Sequence, residues 1–87
     1  MLQISDEAVA ALQTLGPLRI RGVDVDGEIE LEIEEATAPV ADDVVVERDG
    51  VQVYLDPVAS NALEDQVLGI HAHDDHFHFS FEDQAGV

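Results

Sequence analysis

The chain has 87 residues, the length of one small domain (residues 1–87) with a modest core. Apolar residues make up 46 % of it, which excludes a disordered acidic tail, and no apolar run approaches the roughly 20 residues of a membrane helix. Twenty Asp and Glu stand against three cations, Arg19, Arg21 and Arg48, for a formal charge of −17. Such a balance disfavours nucleic acid and anionic membranes, and it attracts metal cations or a basic protein partner. It also suits solubility in a salty cytoplasm, where screening removes self-repulsion. The absence of cysteine removes disulfides, thiolate metal sites and thiol nucleophiles together. Met1-Leu2-Gln3-Ile4 carries no basic segment and no cleavage-site pattern, so the expected location is the cytoplasm.

Leu2 and Ile4 make a short strand-like start. Ser5 or Asp6 then caps a helix over 6–15, with Asp6 and Glu7 at its positive end. Ala8, Val9, Leu12 and Leu15 recur at helical spacing and form one apolar stripe, which Gly16-Pro17 ends. Leu18-Arg19-Ile20-Arg21 alternates, with Leu18 and Ile20 inward. Val23 and Val25 carry the pattern to Asp26-Gly27, a turn signal. Glu28 to Glu34 is the cleanest alternation in the chain: Ile29, Leu31 and Ile33 are expected to face a core, and four glutamates to line the other side. Arg19 and Arg21 are expected across the ladder from some of them. The glutamate row reads as a solvated face, although carboxylates in a row also bind hard cations.

Residues 35–43 form a loop containing Pro39, followed by a short strand at Val44-Val45-Val46. Arg48-Asp49-Gly50 makes a tight turn into Val51-Gln52-Val53-Tyr54-Leu55. Asp56 caps a second, shorter helix over 57–64. Pro57 stands at its first position, where its missing N–H costs nothing, and Ala59, Ala62 and Leu63 are its packing residues. Val67-Leu68-Gly69-Ile70 leads into 70–81, which holds all four histidines and all three phenylalanines. This stretch reads as a β-hairpin with Asp74-Asp75 at the turn, although Asp-Asp is not the favoured pair there. A two-residue loop sets His73 opposite His76 and His71 opposite His78, so four imidazoles share one outward face and Phe77, Phe79 and Phe81 lie inside. Glu82 to Val87 is expected to be a frayed tail.

The order of these elements carries a resemblance over nearly the whole chain. Ile4-Ser5-Asp6-Glu7-Ala8 opens a helix and Leu18-Arg19-Ile20 follows it. Then come Asp49-Gly50-Val51-Gln52-Val53-Tyr54-Leu55-Asp56, a short helix ending near Leu63, Val67-Leu68-Gly69-Ile70, and a Phe-rich hairpin strand. In this the chain resembles the HesB-like (IscA-like) family of A-type iron–sulfur cluster assembly and carrier proteins. The resemblance implies a mainly β (α+β) fold, a compact β-sandwich with one N-terminal helix and a second short helix. It also implies binding of iron or an iron–sulfur cluster through three cysteines, one in a Gly-rich turn after the Leu-Arg-Ile strand and two in a C-terminal Cys-Gly-Cys tail. Here those regions read Gly22-Val23-Asp24-Val25-Asp26-Gly27 and Glu82-Asp83-Gln84-Ala85-Gly86-Val87, without a thiol. Asp24 and Asp26 are poor substitutes, because clusters need soft, bridging thiolates.

Two functional expectations follow. One is a cysteine-free, non-catalytic relative that carries no thiolate-bound iron–sulfur cluster. It would serve as an interaction or regulatory domain toward iron–sulfur assembly proteins or another basic partner. The other is a transition-metal module in which His71, His73, His76 and His78 take zinc, nickel, copper or iron, with Asp74 and Asp75 as further oxygen donors. The plain alternative for the histidines is a solvated sheet face. An enzyme is not expected: the chain has no serine elbow, phosphate loop or metal-hydrolase helix.

Overall fold

The computed structural model describes residues 1–74 and 76–84, and only the backbone of His73 and Phe77. In chain order the elements are β1 (Gln3–Ile4), α1 (Asp6–Leu15), β2 (Leu18–Val25), β3 (Glu28–Glu35), β4 (Val44–Arg48), β5 (Val51–Leu55), α2 (Pro57–Ala62), β6 (Gln66–His73) and β7 (His76–Asp83). Among the described residues seven strands form two sheets, ordered β1-β6-β7 and β3-β2-β5-β4. β1 runs parallel to β6, β2 parallel to β5, and the remaining pairs are antiparallel. One buried cluster draws on both sheets and both helices, including Leu2, Leu12, Ile20, Val53, Leu55, Leu63 and Leu68. The mainly β, two-helix architecture expected from the sequence is the one observed.

Local chemistry explains the boundaries. Ser5 Oγ accepts the Ala8 N–H at 3.1 Å and so caps α1. Gly16, at φ 89°, ends the helix and donates its N–H to the Leu12 carbonyl. The β2–β3 and β4–β5 hairpins turn on Asp26-Gly27 (φ 55° and 86°) and Asp49-Gly50 (φ 52° and 86°). Two consecutive positive φ angles are what a two-residue turn matched to the strand twist requires, and Asp-Gly accepts them readily. Arg48 bonds the Ile4 carbonyl and the Asp6 carboxylate, tying β4 to the start of α1.

Several expectations of burial are corrected. Leu15 is exposed, in the last turn of α1 over an open groove it shares with Ile70 and Ala72. α2 stops at Ala62, which is exposed; Ala59 and Leu63 are the buried pair. Val23 and Val25 do not continue the inward row of Leu18 and Ile20. They pair with Glu30 and Glu28, on the same face as the arginines. Ile29 is 45 % exposed, while Leu31 and Ile33 are half-buried against the core. The cause is the short reach of α2. It covers β2 at Gly22, where an added Cβ would lie 2.6 Å from Val58 Cγ1 and 3.0 Å from the Ala59 nitrogen. Ile29 pairs with Asp24, two residues further out. The chain end is also better held than expected. β7 runs to Asp83, Gln84 N–H donates to the Asp65 carbonyl, and the Gln84 side chain donates to the Met1 carbonyl at 2.8 Å. The rest of the expected tail, 85–87, lies outside the described residues.

Candidate functional site

β6 and β7 pair with Gly69 opposite Ser80, His71 opposite His78 and His73 opposite His76. This is the register that a two-residue Asp74-Asp75 loop demands, and Asp74 takes a positive φ of 57° to make it. Asp75 lies outside the described residues. The apolar side of the hairpin carries the Leu68–Phe81 and Ile70–Phe79 pairs. Leu68 is fully buried, whereas Phe79 and Phe81 are only partly buried against the core. Ala72 pairs with Phe77 on the same side and is exposed, so the hairpin projects past the core toward its tip.

On the other side His71, His76 and His78 are exposed. The His71 and His78 rings face each other with centroids 6.1 Å apart and planes tilted by 34°. His71 Nε2 also lies 3.3 Å from Glu82 Oε1. These two long side chains meet over Gly69 and Ser80, the smallest cross-strand pair on that face. Glu82 is therefore a neighbour of the histidine face that the sequence reading missed. Its even spacing from His76 and His78 along β7 is the signal that could have found it. Among the described residues, no three His, Asp or Glu side chains converge as a set able to hold a metal ion. His71, His78 and Glu82 form a line of donors along the sheet, and the His73 side chain lies outside the description.

The region that the resemblance sets against the family's first cysteine is the outer half of β2 and its turn. Asp24 and Asp26 are exposed there, and Asp24 Oδ1 accepts the Gly27 N–H at 3.1 Å, so it serves the turn. With no cysteine anywhere in the chain, the donor set does not fit an iron–sulfur cluster.

The arginines build the other polar feature. Arg21 pairs with Glu32 at 2.6 Å and with Glu34 at 3.2 Å, as cross-strand charges should. Arg19 does something the sequence reading missed. Its Nε and Nη2 donate to the two oxygens of Asp43 at 3.2 and 3.0 Å, while Glu34 stays at 3.8 Å. Asp43 Oδ2 also accepts the Val40 N–H, so the pair pins the 36–43 loop to the sheet. The Asp43 side chain is 1 % exposed. Its bond with Arg19 holds the carboxyl below its ordinary range, against the opposing effect of burial.

No protein-family model matches the chain, and no curated protein sequence does. Solved structures do. The crystal structure of IscA with the 2Fe-2S cluster superposes with a TM-score of 0.79 at 16 % identity, over 95 % of this chain and 85 % of that one. The crystal structure of Escherichia coli SufA, involved in biosynthesis of iron–sulfur clusters, gives 0.80 at 14 % identity, over 99 % and 82 %. The fold is therefore that of the A-type assembly proteins, as the order of elements predicts. Among the described residues no helix is long and apolar enough to cross a membrane.

Proposed function

We propose that this chain is a non-catalytic interaction or regulatory domain on the A-type fold, acting without a cluster of its own. The observation that carries the reading is a pairing of facts. The fold matches IscA and SufA over nearly the whole chain, yet no residue is a cysteine. Cluster carriage depends on thiolates that bridge well to iron. What remains without them is a surface, and here it is strongly acidic. Anaerobic reconstitution with iron and sulfide should leave no visible chromophore after desalting. A reproducible absorption band would overturn the reading. Titration of the untagged chain with purified A-type assembly proteins such as SufA, followed by calorimetry, should give a saturable heat.

A second reading is a transition-metal module on His71, His73, His76 and His78. The His71–His78 ring pair and the register that sets His73 opposite His76 favour it. Neutral imidazoles from neighbouring strands can chelate one zinc, nickel, copper or iron ion. Elemental analysis of protein made without an affinity tag tests it directly: stoichiometric metal supports the module, and metal-free protein removes it.

A further inference from the structure

β3 is an edge strand: among the described residues it has β2 on one side and no strand on the other. The two-residue Asp26-Gly27 turn makes Val25 and Glu28 a hydrogen-bonded pair. Even-numbered residues of β3 then bond inward to β2, and the Ala36 N–H bond to the Pro17 carbonyl continues that parity. Odd-numbered residues, Ile29 and Leu31 among them, direct their N–H and C=O groups outward from the sheet. This edge offers eight residues of ladder.

Its two faces differ in chemistry. On the outer face, Glu32 and Glu34 share the cation of Arg21. Glu28 and Glu30 instead lie opposite Val25 and Val23, and among the described residues neither has a cation. On the inner face, Ile29 lies beside Pro57 and Val58 in an open groove at the start of α2, with Val58 44 % exposed. Among the described residues, outward-facing backbone, carboxylates without a cation and an apolar groove thus meet around Ile29.

We propose that the free edge of β3 is the docking site for an extended basic segment of a partner protein, one that alternates Lys or Arg with apolar residues. A strand added there gains main-chain bonds from the edge. Its alternate side chains fall on opposite faces, so cations meet Glu28 and Glu30 while apolar residues enter the Ile29–Val58 groove. Charge complementarity selects this occupant. A second copy of the same strand would set glutamates beside glutamates, which like-charge pairing disfavours. The proposal rests on the reading of the chain as an interaction domain, and it names where and with what chemistry it interacts.

The test is an NMR titration of the labelled full chain with a synthetic peptide alternating lysine and valine, of the same length as β3. Shifts confined to 28–35 and the Val58 region are expected. Glu28→Lys with Glu30→Lys should weaken binding about tenfold, from two reversed cross-strand charge pairs. Ile29→Pro should block strand addition and leave the hairpin folded by circular dichroism, because the nitrogen it alters faces outward. Should the proline variant unfold, the lysine pair still decides. A peptide of the same composition with lysines and valines in separate blocks should bind far more weakly. Equal binding of the block peptide, or shifts spread over the whole acidic surface, would overturn the proposal. Loss of the β3 effect with intact binding of an assembly protein would reject this edge and leave the interaction role standing.

Discussion

The carboxylate of Asp56 accepts the backbone N–H of Gly22, 34 residues earlier, at 3.1 Å, while the same group caps α2 through the Ala59 N–H at 2.7 Å. One side chain thereby starts the second helix and holds it against β2. Gly22 permits this because the helix lies where its side chain would stand. Asp56→Ala should lose the cap, about 0.5–2 kcal/mol, and leave the Gly22 N–H unsatisfied, about 1–3 kcal/mol more. Gly22→Ala should cost about 1–3 kcal/mol by overpacking. Urea unfolding of both singles and the double should show coupling, since either change loosens the same contact.

The Arg19–Asp43 pair should appear in the pH dependence of stability. Asp43 is held below its ordinary value of 3.8, so the native chain binds that proton less readily than the unfolded chain does. Its stabilising effect is whole above the unfolded value and is lost as pH falls through the lower, folded one. Asp43→Asn should therefore be less stable than the parent at neutral pH, and the difference should shrink as the solution is acidified below that range. Chemical denaturation at stepped pH measures it. A difference that stays constant with pH would show that the asparagine merely disturbs the loop.

Burial ranks the hairpin's core positions. Leu68 is fully buried, and Leu68→Ala should cost about 2–5 kcal/mol. Phe79 is only partly covered, so Phe79→Ala should cost less, roughly 1–3 kcal/mol. Equal losses would mean that Phe79 is enclosed in solution.

Zinc binding at the histidine face should weaken as the solution is acidified, because a proton and a metal ion compete for the same imidazole nitrogen. His71→Ala with His78→Ala should abolish micromolar binding by calorimetry with little change in stability, because both rings are exposed. Millimolar binding that survives the double change would identify the acidic surface as the collector.

The formal charge of −17 should make stability depend on salt. The melting temperature should rise with sodium chloride, as screening shortens the range of repulsion among the carboxylates. A flat profile would show that the acidic surface does not limit stability.

What the sequence determined by itself was local. Asp-Gly pairs tolerate two positive φ angles, so both hairpins and their registers could be read from consecutive residues. Ser5 or Asp6 and Asp56 marked the two helix starts for the same kind of reason, the structure giving the first cap to Ser5, and the lack of any thiol excluded thiolate donors without a fold. Tertiary structure decided what depends on distant coverage. Alternation in β3 identified which residues share a face, but α2 reaches only as far as Gly22, so Ile33 is partly covered and Ile29 meets solvent. The partner of Arg19 was beyond local reading too. Glu34 is its ladder neighbour, yet Asp43 takes the bidentate bond because the 36–43 loop folds back over the sheet and buries that carboxylate beside it. Periodicity is a property of neighbours along the chain. Exposure and ion pairing are set by where one element stops short of covering another.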